Sequence, residues 1–510
     1  MLLACPFFIW LAVKYLSLDF WYDEAFTLHF FAFRPLIETA TSYNLPNNHI
    51  FFNLINNLYF RFTGIETLGQ LIDRPEKLRL LMLVYTAVTL FYVFRICTRF
   101  LNLAIACLAL IVLVTTVPFF NFAVQIRGYI LSIMLLVMFL YYSWSFEQTR
   151  SIGSAVMVAV TTMLALYSIP LNLYFLMAAT TFYLVSSGFQ LWKNDGKNLF
   201  TGTARFSLRR ELPAAFHDLA IVAYVFLGFS AAVVAYMPVF YLVINNRFVE
   251  SHGWFHFSTL TAVAPRTFGY FVSQRYALAA FALLGVVFFV WALVRRRQMP
   301  FARYYACCIC LLVLPFVFSF VRGDRPYYRV FVNLTPVFAV FVSLNLYYGY
   351  QLLQRWMNRL HPAWWILLAA LYCNISFAAE LQAIDKKVYQ DIRQNKRTQN
   401  IYYNYYQAHF RPRKLLQKFK AQHFDENTPV FAGYYFDPAT LPIYCQHYQI
   451  PCPSIKLHED ELFAAAKKIH VITAKPFKCI RKITDRYPAA KCAVLNETLS
   501  YHNVLQCEID

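Results

Sequence analysis

Apolar stretches long enough to cross a bilayer recur through the first three quarters of the chain, and they constrain its fold more than any other feature. About eleven can be marked, at roughly 1–18, 78–95, 102–118, 129–147, 152–169, 170–191, 218–243, 276–294, 303–321, 329–351 and 363–383. Hydrocarbon offers no partners for backbone N–H and C=O groups, so each such segment must satisfy them internally, as a helix. Composition agrees: 14% of residues are charged, against about 25% in a soluble domain. The expected fold is an α-helical polytopic membrane protein with about eleven transmembrane helices. The first segment lacks the basic n-region and small-residue cleavage site of a signal peptide, so it reads as a span.

The formal net charge of +20 would, in a soluble protein, raise nucleic acid as a partner. Its distribution argues otherwise. Arg95 and Arg99, Arg150, the 193–210 and 295–303 stretches, and Arg355 with Arg359 all fall in short connections that alternation places on one side. Excess Lys and Arg in short loops marks the cytoplasmic side and orients helices, so no nucleic acid is implied. The opposite side then receives a first outer loop at about 19–77, a second at about 244–275, and the tail.

Residues 1–383 thus form a membrane domain and residues 384–510 a small C-terminal, extracytoplasmic α/β domain. The tail has a basic helical stretch at 402–420 and strand-like runs at 429–436 and 469–473. Five of the twelve cysteines lie there: Cys445, Cys452, Cys479, Cys492 and Cys507. Outside the cytoplasm one or two disulfides are expected among them, with one cysteine left over and the pairing open.

Span interiors are nearly free of ionisable residues, with Lys14 the main exception, and the chain has 14 glycines in all. Ion-coupled transporters need polar sites near the midplane, and membrane helices that pack closely favour small residues. A transporter is disfavoured. Ionisable groups collect instead at the outer ends of spans: Asp23 and Glu24 after the first, Arg127 before the fourth, and Arg322, Asp324, Arg325 and Arg329 before the tenth. Such groups suit a substrate with an anionic head and a lipid tail.

Three motifs carry candidate chemistry. In WYDEAFTLHFF, residues 21–31, the adjacent carboxylates of Asp23 and Glu24 can serve as a general base; the plainer reading is that they favour a helix N-terminus. The 44–64 segment, NLPNNHIFFNLINNLYFRFTG, has apolar residues at helical spacing with Asn on the other face, as in a helix lying in the interface. Its His49 is a candidate substrate contact or metal ligand, or simply a hydrogen-bonding residue. Arg127 in QIRGYIL, and Arg325 with Arg329 in RGDRPYYRVF, offer the planar fork that matches a phosphate. Snorkelling anchors at headgroup level would look the same.

Taken in order, these segments resemble the GT-C superfamily of membrane glycosyltransferases, in its protein O-mannosyltransferase-like and aminoarabinose-transferase-like branch. The matching features are Asp23-Glu24 after the first span, Asn48-His49-Ile50-Phe51 before an amphipathic helix, and Glu76 with Arg79 opening the second span. Arg127-Gly128-Tyr129 begins the fourth span, and Arg329 leads a late helix with Pro336 further on. The resemblance covers roughly residues 1–350 and implies interfacial helices in the first outer loop. The family's His-Pro-Pro run has lost its prolines here, and the late Arg-Tyr pair reads Arg329-Val330.

The resemblance implies an inverting transfer of a sugar, hexosyl or pentosyl, from a polyprenyl-phosphate carrier to a protein, lipid or glycan hydroxyl. Asp23 would be the base, with Glu24 as its alternate. Arg127, Arg329 and Arg325 would hold the donor phosphate, and His49, Tyr129 and Asn48 would contact substrate. No cofactor is certain; a divalent cation, Mg or Mn, with Glu24 and His49 as candidate ligands, is an option left open. The implied setting is the lipid bilayer of a bacterial plasma (inner) membrane, with the C-terminal domain outside. Readings from other classes are a non-catalytic membrane scaffold or receptor and a flippase or exporter of lipid-linked glycans.

Overall fold

The computed structural model describes residues 5–43, 48–201, 208–245, 255, 257–272, 275–295, 299–323, 326, 328–356, 361–393, 411–422, 425, 428–433, 440–451, 467–495 and 502–509. Helix α1 (Cys5–Leu16) leads into a loop holding α2 (Tyr22–Thr27), α3 (Leu36–Thr41), α4 (Ile50–Thr63) and α5 (Leu68–Asp73). There follow α6 (Glu76–Phe100), α7 (Leu103–Val114), α8 (Val117–Val124), α9 (Gly128–Thr149), α10 (Ile152–Ser168), α11 (Leu173–Thr201) and α12 (Leu208–Tyr236). The membrane part closes with α13 (Phe240–Ile244), α14 (Ala264–Val272), α15 (Tyr276–Val294), α16 (Ala302–Arg322), α17 (Thr335–Trp356) and α18 (Pro362–Arg393).

The chain is a multi-pass membrane protein. Among the described residues 6 helices are long and apolar enough to cross a bilayer, or up to 8 spans if each of two bent pairs counts as one. All the segments expected from sequence are helical, but not all are simple spans. The apolar parts of α1 and α10 are under 18 residues, and the 102–118 segment is bent by 71° between α7 and α8. The bend has a local cause. Pro118 enters the first turn of α8 and cannot donate to the carbonyl four residues back. The hydroxyls of Thr115 and Thr116 meanwhile bond back to Ile111 and Val112, each at 2.7 Å.

Helix α4 turns its asparagine face inward. Its asparagines, Asn53, Asn56 and Asn57, turn into the protein, while Leu58 and Phe62 are exposed. Hydrogen bonds hold that face: Asn57 donates to the carbonyls of Ala32 (3.0 Å) and Arg34, and Asn53 to Asn48 Oδ1 (2.8 Å). The outward apolar residues still suit contact with lipid.

Charged residues gather at both ends of the bundle. Glu147 lies near the end of α9, about 28 Å along the axis from Gly128 at 1.5 Å per residue. There Arg303 bridges Glu147 (3.1 Å) and Asp218 (2.7 Å), and Arg99 donates to Tyr141 (3.0 Å). The other end, where α1 exits and α9 begins, carries the cluster described below.

The C-terminal part holds a four-stranded sheet, β1 (Val430–Ala432), β2 (Lys468–Thr473), β3 (Lys491–Val494) and β4 (Asn503–Glu508), in the order β1-β2-β4-β3. Strands β1 and β2 are parallel; the other two pairings are antiparallel. Cys492 and Cys507 are directly opposed across β3 and β4 and form a disulfide. Cys445 and Cys479 are buried thiols; Cys452 lies outside the described residues, as do 402–410 of the expected basic stretch and 434–436 of the first expected strand.

The sheet and the Pro476–Arg486 helix share a small core, which includes Phe431, Ile469, Val471, Ile483 and Leu505. Two further helices, Pro412–Gln422 and Leu441–His447, place Leu416, Phe419, Leu441 and Tyr444 in the same apolar core as the membrane helices. The tail is therefore docked. Tyr444 Oη accepts the Phe20 N–H (2.8 Å), Arg413 pairs with Asp19 (3.2 Å), and His447 meets Asp73 (3.0 Å).

Candidate active site

Asp23 and Glu24 sit in the first turn of α2. Successive side chains on a helix point about 100° apart, so neighbours in sequence meet different surroundings. Glu24 turns inward and is fully buried. Arg79 grips both its oxygens (2.9 and 3.1 Å), and the N–H groups of Ile126 (2.7 Å) and Trp21 (3.0 Å) complete its set of donors. Arg79 also donates to the carbonyls of Val124, Leu18 and Asp19. This one buried ion pair ties the exit of α1 to the α8–α9 connection.

Asp23 turns the other way, is half-buried, and pairs with Arg329 across 2.9 Å. Arg329 stands in the short 3-10 helix Tyr328–Leu334 that leads into α17. Arg127 joins the pair from the extended residues before α9, donating to Asp23 O (3.2 Å) and Thr27 Oγ1 (3.0 Å). Its guanidinium is buried and lies 5.8 Å from the centre of the Tyr129 ring.

His49 precedes α4 and packs edge-on against Tyr129, with ring centres 5.3 Å apart. Gly128 makes this approach possible, since a Cβ there would stand 2.9 Å from His49 Cβ. Burial, then the charges of Arg127 and Arg329, hold the imidazole pKa well below its usual value, so the ring is neutral. The Ser168 main chain bonds the ring, and Nε2 is the nitrogen left without a partner among the described residues. A neutral ring whose Nδ1 is a donor leaves Nε2 as an acceptor.

The structure thus brings together Asp23, Arg127, Arg329, His49 and Tyr129. Glu24 abuts this group but has no oxygen to spare. Asn48 is also spent locally: its amide donates to Thr39 O (3.2 Å) and Ser42 O, and its oxygen accepts from Asn53. Arg325 lies outside the described residues. The donor set does not fit a divalent cation, because Glu24 is saturated and two guanidinium groups face His49. Among the described residues no group of three His, Cys, Asp or Glu could hold a metal ion.

Arg79 was given no role in the site, although an arginine within the apolar segment 78–95 is a signal that it is held by a partner. Thr27 and Asp19 gave no such signal, because their contacts come from distant parts of the chain.

No family model matches the sequence, and no curated protein matches it. Among solved structures, several are similar to the chain at low identity. ArnT from Cupriavidus metallidurans matches in its apo state at 13% identity and TM-score 0.46, over 98% of this chain and 97% of that one. The same enzyme bound to undecaprenyl phosphate matches at 12% identity and TM-score 0.48, with the same coverage. An oligosaccharyltransferase from Archaeoglobus fulgidus, tethered with an acceptor peptide, matches at 12% identity and TM-score 0.38, over 83% of this chain and 60% of that one.

Proposed function

We propose that Asp23, Arg127, Arg329 and His49 form the active centre of an inverting glycosyltransferase, which moves a sugar from a polyprenyl-phosphate carrier to an acceptor hydroxyl of a protein, lipid or glycan. The observation that carries the reading is the Asp23–Arg329 pair beside buried Arg127: a carboxylate and two phosphate-matching cations at one end of a membrane bundle. That end is read as the outer face of a bacterial plasma membrane. Support comes from the basic residues at the opposite end and from a disulfide in the tail.

In this reading the acceptor oxygen attacks the anomeric carbon while the bond from that carbon to the phosphate oxygen breaks on the opposite side. Asp23 takes the acceptor's proton. The departing polyprenyl phosphate gains charge, and Arg127 and Arg329 stabilise it more than they do the bound donor. The resting ion pair has a consequence. A donor phosphate competes for Arg329 and so releases Asp23 to act as base only when the donor is present. His49 Nε2, as an acceptor, suits a hydroxyl of the sugar or the acceptor and not the phosphate. Glu24 and Arg79 hold the loop in place.

The test is release of polyprenyl phosphate from polyprenyl-phosphate sugars by the purified protein, by Asp23→Asn, and with EDTA. The reading expects turnover that falls about 10²–10⁴-fold in Asp23→Asn and survives EDTA. Undiminished turnover in a folded Asp23→Asn protein would contradict it.

A further inference from the structure

Lys14 stands apart from the proposed reaction. It is the ionisable residue that the otherwise apolar first segment carries, and it lies in the last turn of α1. It lines a cavity of about 540 Å³ between α1, the end of α18 and the start of the Pro412–Gln422 helix. The cavity's charged residues are Lys14, Arg411, Arg413 and Lys414, with Asp19 and Asp385.

Two of these six are already committed to each other. Arg413 holds Asp19 through Nε (3.2 Å) and through its own N–H (2.9 Å), and its remaining donors go to the carbonyls of Ser17, Ile72 and Asp73. They form a neutral wall. The cavity's two lysines, Lys14 and Lys414, are different. Lys14 has no carboxylate in ion-pair range among the described residues and rests over the Trp10 ring at 5.5 Å. Lys414 likewise has none. Both are exposed at the cavity.

The uncharged lining combines apolar Leu11, Leu18 and Leu381 with polar Tyr15, Ser17 and Gln382. Below it, Ile9, Trp10 and Val13 of α1 and Leu371 and Ile375 of α18 are exposed. A ligand that uses the whole surface has a negative head and acyl chains running down these two helices.

We propose that this cavity binds the phosphate head of an anionic membrane lipid, at a site separate from the Asp23 cluster, with Lys14 and Lys414 as its principal cations. The site sits where the tail meets the membrane domain, so an occupied cavity braces the tail against α1 and α18. Free phosphate shares the head's chemistry but cannot use the apolar wall.

The full chain in nanodiscs of phosphatidylcholine with a minor share of phosphatidylglycerol tests this, read as the lipid that remains bound after detergent extraction. The wild type should retain phosphatidylglycerol over phosphatidylcholine. Lys14→Gln combined with Lys414→Gln should weaken that preference by about tenfold to thirtyfold, from two lysines at a lipid surface. Lys386→Gln combined with Lys387→Gln is the control, since these exposed lysines share that end of α18 without lining the cavity; it should leave the preference intact. Equal losses in both double variants would reduce the effect to general surface charge and overturn the site. Displacement of the lipid by millimolar inorganic phosphate would assign the cavity to a soluble anion and overturn the lipid.

Discussion

Asp23 and Glu24 adjoin in sequence and share a helix turn, yet the regions they enter differ in almost every physical respect. The Glu24 region is closed: carboxylate and guanidinium are both fully buried, and four N–H donors converge on two oxygens. The Asp23 region is open: its ion pair is partly exposed, and a neutral histidine leaves one nitrogen unused beside it. A saturated buried pair resists change because any new partner must displace an existing one. A half-open pair can exchange partners at low cost. Under the proposed function, the contrast gives structure to one carboxylate and chemistry to its neighbour.

The largest effect that could break this contrast lies in the closed region. Glu24→Gln leaves Arg79 buried without its counter-charge and should cost about 3–5 kcal/mol of stability. A double change of Glu24 and Arg79 to leucine removes both charges, and should recover much of that loss in a melting experiment. If the single and double variants melt alike, the pair is not the tie described here.

In the open region, if the proposed function holds, Arg329→Ala removes one cation from the departing phosphate and should lower turnover about 10²–10³-fold, with melting little changed. Arg329→Lys keeps the charge but loses the fork, so a smaller loss is expected. Equal turnover in both variants would mean that Arg329 does not meet the phosphate.

The smallest effect concerns pH. Burial keeps the folded His49 pKa well below the unfolded value of 6.5, so below that pH the unfolded chain takes a proton that the folded chain refuses. Stability contributed at neutral pH is therefore lost as pH falls from about 6.5, by at most about 1.4 kcal/mol per unit. His49→Gln should flatten that part of the melting profile. An unchanged slope would show that His49 is accessible to protons when folded.

Much of the membrane part was legible in the sequence, because a bilayer forces apolar segments into helices and each expected segment is helical. The bends were not, although Pro118 marks one of them, because a proline in an apolar run also occurs inside unbroken helices: Pro315 does so in α16. The structure brings together Asp23, Arg127, Arg329, His49 and Tyr129, and each was legible as a charged or aromatic residue at the end of a span or in the first outer loop. The division of labour between Asp23 and Glu24 was not, since it depends on Arg79, fifty-five positions away. The bonds of Asn48 to Thr39, Ser42 and Asn53 were not legible either, because they depend on how the loop folds. The docking of the tail through Arg413 and Tyr444 left no local pattern at all.

One paired measurement bears most directly on the account: turnover and melting temperature, side by side, for Asp23→Asn and Glu24→Gln. The account predicts that Asp23→Asn melts like the wild type and has lost turnover, while Glu24→Gln melts well below it and retains turnover in proportion to the fraction still folded. A stable Glu24→Gln protein without activity, beside an active Asp23→Asn protein, would contradict the assignment outright.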